Sequence, residues 1–176
     1  MTLDEYQNRL CSVHKKDMWW GVLTIELSVA VGSICGIWSS IVNCPLNVSD
    51  EQFDSLNTKL YDKLGDVFNI LARLNAYVNE PLSNIYKVAH HAGMGDGQPT
   101  KYILRLAKSA SEFLCPDLTR VNHDVRHIIT ENSILIMHDM INIVLSLKDR
   151  SMMAIVKDNL LKVLSKEKSN VGNHGS

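Results

Sequence analysis

Several groups of side chains in this sequence have types and spacings suited to chemistry. His123, His127 and Glu131 recur every four residues, with Asp124 beside the first. Two histidines one helical turn apart can chelate zinc, and a carboxylate can add a third ligand. A helix break expected near Thr130 displaces that third position, so the group reads as a solvated, mixed-charge face. His138 and Asp139 are adjacent, with His90 and His91 upstream, but too little chain follows to complete a metal centre. Lys101, Arg105 and Lys108 form a small basic stripe beside Ser109 and Ser111. That stripe suits an anionic ligand, and an exposed helix face explains it equally. Trp19, Trp20 and Trp38 are the aromatic candidates for an interface or for base stacking, with core packing the default for Trp38. Gly93-Met94-Gly95-Asp96-Gly97 resembles a phosphate loop only superficially, since no strand precedes it and no Gly-Lys-Ser/Thr follows.

These residues must be held by helices. The chain has 176 residues, of which only 9 are Gly and 4 Pro, so breakers are few. Lys plus Arg number 18 and Asp plus Glu 19, for a net charge of -1. That balance excludes a nucleic-acid partner held by bulk charge. Cys11, Cys35, Cys44 and Cys115 form no Cys-x-x-Cys pair and read as reduced, which points to a cytoplasmic protein.

Apolar residues recur at three- and four-residue intervals throughout, and no segment reads as a strand. The expected fold is an all-α helical bundle. Leu3–Lys16, Met18–Val42, Asp50–Val78 and Leu82–His91 make a first helical half, spanning 1–92. Residues 93–100 form a linker. Lys101–Leu114, Asp117–Thr130, Glu131–Leu147 and Ser151–Ser165 make a second half over 101–165, and 166–176 read as a flexible polar tail.

Met18–Val42 is long and apolar enough to cross a bilayer, with Glu26 its only charge. A carboxylate a third of the way in costs about 2–3 kcal/mol there. A helix buried on all faces, in a core or between subunits, is the favoured reading, and a membrane anchor the lesser one.

The two halves echo each other. Leu64-Gly65-Asp66-Val67 through Leu74 can be laid on Met137-His138-Asp139-Met140 through Leu147, and Leu27–Ile34 on Leu106–Phe113. Amphipathic helix pairs can look alike without common origin, so the sequence leaves a duplicated pseudo-dimer open.

Met1-Thr2-Leu3-Asp4-Glu5-Tyr6-Gln7, the apolar second helix and Leu64-Gly65-Asp66-Val67…Leu71-Ala72-Arg73-Leu74 together resemble the MazG-like, all-α nucleoside triphosphate pyrophosphohydrolases over residues 1–90. The resemblance implies a Glu-Glu-x-x-Glu helix facing a Glu-x-x-Asp helix, a carboxylate cage for Mg²⁺ and cleavage of the α–β phosphate bond. This sequence departs from that pattern. The first motif reads Val29, Ala30 and Ser33 in one half and Lys108, Ser109 and Glu112 in the other. The second reads Lys63 and Asp66, then Ile136 and Asp139. The surviving metal candidates are Asp66, Glu112 and Asp139, and the nucleotide or phosphate candidates are Lys63, Asp66, Arg105 and Lys108. A cation at Lys63 opposes Mg²⁺ and suits an ion pair or a phosphate.

The expectation is a catalytically degenerate MazG-like protein, oligomeric, binding a nucleotide or a protein partner and needing no cofactor. An Mg²⁺-dependent pyrophosphohydrolase using the three surviving acids is the alternative, and a protein anchored through 18–42 the second alternative.

Overall fold

The computed structural model describes residues 1–13, 19–45, 49–93, 95, 97–113, 124–147 and 150–172. Its elements are α1 (Leu3–Val13), α2 (Trp20–Val42), α3 (Asp50–Tyr77), α4 (Leu82–His91), α5 (Pro99–Glu112), α6 (Asp124–Leu147) and α7 (Met152–Gly172). The chain is all-α among the described residues.

Local chemistry sets most of the boundaries. Thr2 and Glu5 form a reciprocal cap at the start of α1: Glu5 N donates to Thr2 Oγ1 at 3.1 Å, and Thr2 N donates to Glu5 Oε2 at 2.7 Å. Ser49 caps α3 by accepting from Gln52 N, and Ser151 caps α7 by accepting from Ala154 N. Helix α3 ends in a Schellman turn. Asn79 takes a left-handed φ of 56°, Glu80 N reaches back to Asn75 O and Asn79 N to Ala76 O. Pro81 then precedes α4, where it cannot extend α3.

Helix α3 is the hub, packed against α1, α2, α4, α6 and α7. One continuous apolar core draws on every helix, including Tyr6, Leu27, Phe68, Ile85, Leu106, Met137 and Val156. The packing pairs form a pattern: α2 lies on α3 as α5 lies on α6, α3 meets α7 as α6 meets α4, and α2 touches α5. The buried positions follow it. Leu27, Ala30, Val31 and Ile34 are buried on α2, and Leu106, Ser109, Ala110 and Phe113 are buried on and just after α5.

Helix α1 straps the α3–α4 junction. Gln7 Nε2 donates to Ala72 O and Glu80 O, each at 3.0 Å, and Gln7 Oε1 accepts from Leu82 N at 3.1 Å. Asp4 caps α4 from a distance in sequence, accepting from Ser83 N at 2.9 Å and Ser83 Oγ at 2.7 Å.

Four expectations are corrected. No break occurs near Thr130: α6 is continuous, because Ile129, Asn132 and Ser133 are buried across the supposed junction and tertiary packing overrides the weak propensity of the Ile-Ile-Thr run. Helix α7 continues to Gly172, so the polar tail is helical well past Ser165. Helix α5 starts at Pro99, two residues into the supposed linker, because proline suits the first helical turn. Helix α2 is not buried on all faces: Val22, Ile25 and Val29 are exposed, Val29 by 66%.

Candidate functional site

Asp66 sits on α3 one turn after Lys63, which pairs with its Oδ2 at 2.8 Å. Asn159 of α7 donates to Asp66 Oδ1 at 3.5 Å. The Asn159 carbonyl accepts from Tyr6 Oη at 3.0 Å and from Asn69 Nδ2 at 3.4 Å. Burial, and then the charge of Asp66, push the Tyr6 phenol well above its ordinary range, so it acts as a protonated donor. Gly65 makes the approach of α7 possible: a Cβ there would stand 3.1 Å from the Asn159 Cβ. The cleft beside this network, lined by Tyr61, Gly65, Arg150 and Asn159 among others, has a volume of about 10 Å³. That is room for a water, far below what a nucleotide fills. Two of its cations are already paired, Arg150 with Asp158 at 3.1 Å and Lys162 with Asp62.

Asp139 is in a different setting. Its side chain is 1% exposed, with Arg105 Nε at 3.3 Å and His138 Nδ1 at 3.5 Å. Among the described residues, neither carboxylate oxygen has a donor aligned on it. Tyr102 packs edge-on to His138 at 6.4 Å and lies under the Arg105 guanidinium. The loop before α5 is fastened here, since Gly95 N donates to Asn142 Oδ1 at 2.6 Å. A side chain at Gly95 would overlap the Tyr102 hydroxyl. The supposed linker is therefore docked on α5 and α6 at Gly95; Met94 and Asp96 lie outside the described residues.

Burial raises the Asp139 carboxyl above its ordinary range, and the nearby Arg105 and His138 offset this only in part. The folded state therefore holds this proton more tightly than the unfolded chain. The stability it contributes is present in acid and is lost as pH rises through the folded value. Asp139→Asn, which carries no titrating proton, is expected to gain stability relative to the wild type as the pH rises from 4 to 7. The gain should vanish near pH 4. Urea unfolding at the two pH values checks this, and a loss confined to pH 7 would contradict it.

The three metal candidates do not share a pocket. Asp66 belongs to the α1–α3–α7 network and Asp139 to the α5–α6 contact, while Glu112 is exposed on α5. Among the described residues no group of three His, Cys, Asp or Glu is placed to hold a metal ion. Of the phosphate candidates, Lys63 and Arg105 are engaged with these aspartates, and Lys108 is exposed. His127 Nε2 lies 3.1 Å from Glu131 Oε1 on an exposed face of α6; His123 lies outside the described residues. Trp19 is 64% exposed, Trp20 is half-buried against the core, and half-buried Trp38 donates from Nε1 to Thr100 Oγ1 at 3.0 Å.

One pair escapes sequence reasoning. Glu26, the lone charge of α2, accepts from Arg73 Nη1 of α3 at 3.0 Å. A single acid in an apolar helix signals a partner, but only the fold shows which cation supplies it. No family model matches the chain, and neither a characterised protein nor a solved structure does.

Proposed function

We propose that this chain is a catalytically degenerate, MazG-like scaffold of two related halves that works by holding a protein partner. The observation that carries the reading is the state of its surviving acids: Asp66 is paired with Lys63 and Asp139 with Arg105. In the resembled family the position of Lys63 is a carboxylate. An ammonium group 2.8 Å from Asp66 neutralises the charge that a hard divalent cation needs. Asp139 is buried with the Arg105 guanidinium 3.3 Å away, and burial itself disfavours the charged form that a metal ion needs. These residues do not suit Mg²⁺, and no step of a phosphohydrolase reaction is assigned to them.

The duplicated origin is supported by the paired helix contacts and the matching buried positions on α2 and α5. It is supported also by Asp66-Val67-Phe68-Asn69 and Asp139-Met140-Ile141-Asn142, which repeat Asp-x-x-Asn at corresponding places on α3 and α6. A protein partner is favoured over a nucleotide because the basic candidates Lys63 and Arg105 are spent on internal ion pairs, whereas α2 offers an apolar surface.

Thermal unfolding with millimolar nucleoside triphosphates and Mg²⁺ tests this choice. A ligand at 100 times its Kd adds about 2.7 kcal/mol, several degrees of shift at this chain length. No shift is expected. A shift of that size, lost in Lys63→Ala or Arg105→Ala, would overturn the protein-partner reading in favour of a nucleotide.

A further inference from the structure

We infer that the exposed face of α2 is a docking surface for a second copy of this chain, packed antiparallel about a two-fold axis at Val29. This deepens the protein-partner reading by naming the partner. The face is apolar and open: Trp19, Ile25 and Val29 are exposed by 64%, 59% and 66%, and Val22 by 40%. Toward the C-terminal end the same face narrows to Gly32, Gly36 and Ser39, and a Cβ built on either glycine meets nothing within 4 Å. One helix thus carries a bulky half and a hollow half.

That asymmetry selects the geometry. In a parallel pair every residue meets its own copy, so valines collide at one end while glycines leave a gap at the other. In an antiparallel pair centred on Val29, Val22 sits over Gly36 of the other copy, Ile25 over Gly32 and Ser33, and Trp19 over Ser39. Each contact occurs twice, as an isologous interface requires. Opposed helix dipoles add a small favourable contribution.

The serine hydroxyls of the face are already engaged within the helix. Ser33 Oγ donates to Val29 O at 2.9 Å, Ser40 Oγ to Gly36 O at 3.1 Å, and Ser39 Oγ accepts from Asn43 Nδ2 at 3.2 Å. Covering them therefore costs no unmade hydrogen bond. Charge points the same way. Glu26 is the only charged side chain on α2, and Arg73 takes it up. Two copies meet across the axis without like charges opposed, and a charged partner finds nothing to pair with.

A lipid occupant fits less well. Helix α2 is long and apolar enough to cross a membrane, but α3 and α5 pack against it and Glu26 ties it to α3. Insertion would have to strip both helices away.

Area sets the strength. From Trp19 to Ser40 the face runs about 32 Å at 1.5 Å per residue, and a helix about 10 Å wide then offers about 300 Å² per copy. The pair then buries about 600 Å² in total, well below the roughly 1,200 Å² of a standard interface, so only a weak, transient complex is expected. Association this weak is sought at high protein concentration.

Sedimentation velocity from 5 to 500 μM, with the full chain, tests this. The mass should double across that range, and Val29→Lys should stay monomeric with unchanged circular dichroism, since an exposed site tolerates the charge. Register is read by oxidative cross-linking against the wild-type background. Val29→Cys should link to itself. Val22→Cys should link only when mixed with Gly36→Cys. A wild-type monomer at 500 μM, a Val29→Lys dimer, or faster self-linking of Val22→Cys than of Val29→Cys would each overturn the proposal. So would wild-type chain that floats with phosphatidylcholine vesicles while Val29→Lys does not. A monomer result leaves the wider protein-partner reading to the nucleotide shift, so the two failures are separable.

Discussion

Phe68→Ala is expected to destabilise the protein by about 4 kcal/mol, the middle of the range for truncating a buried aromatic. Phe68 is fully buried at the centre of α3, the helix that touches five of the other six. Its ring meets Tyr6 edge-on at 5.4 Å, so truncation also loosens the seat of α1. The apolar core is one cluster drawing on both sequence halves. The loss should therefore appear as one cooperative transition moved to lower urea, with a melting temperature lower by roughly 10 °C. Circular dichroism during urea titration checks both points. A change below about 1 kcal/mol, or two separate transitions with only one moved, would contradict the single shared core.

Gln7→Ala should cost about 2–3 kcal/mol, a large penalty for losing one amide. Gln7 is buried and serves three backbone groups, the carbonyls of Ala72 and Glu80 and the amide of Leu82. These lie at the turn where α3 gives way to α4. An isolated hydrogen bond is worth about 1 kcal/mol, but leaving buried partners unsatisfied adds their desolvation penalty. Gln7→Leu keeps the volume and should be nearly as damaging, which separates lost hydrogen bonding from lost packing. The α1 strap still has Asp4 bound to Ser83, so the variant should remain folded. Hydrogen exchange should show the added opening at α1 and α4 first. Cost confined to Gln7→Ala, with Gln7→Leu at wild-type stability, would show that the amide only fills space.

The helices are legible in the sequence where short-range chemistry decides. Ser49 and the Thr2–Glu5 pair mark helix starts because caps act over three or four residues, and Pro81 marks a restart because it cannot continue the helix before it. The Thr130 junction is misread because its weak local propensity is overridden by partners on distant helices. The polar run after Ser165 is misread because Lys166, Glu167 and Lys168 are good helix formers that need no core. At the site, the departures from the resembled motifs are legible from residue type alone. Their consequence is not: that Lys63 reaches Asp66 follows from i, i+3 spacing, but Arg105 with Asp139, Arg73 with Glu26 and Asn159 with Asp66 join residues tens of positions apart. The open face of α2 is hidden for the same reason. Periodicity marks the helix as apolar and leaves open how much of it the other helices cover.

Asp66 and Asp139 each lie against a cation of the protein itself, Lys63 and Arg105, which is why they are proposed not to serve Mg²⁺. Pyrophosphate release from a panel of nucleoside triphosphates with Mg²⁺, using the full chain, tests it most directly. Release no faster than in buffer is expected, for wild type and for Asp66→Ala and Asp139→Ala alike. Mg²⁺-dependent release by the wild type that either substitution abolishes would contradict it.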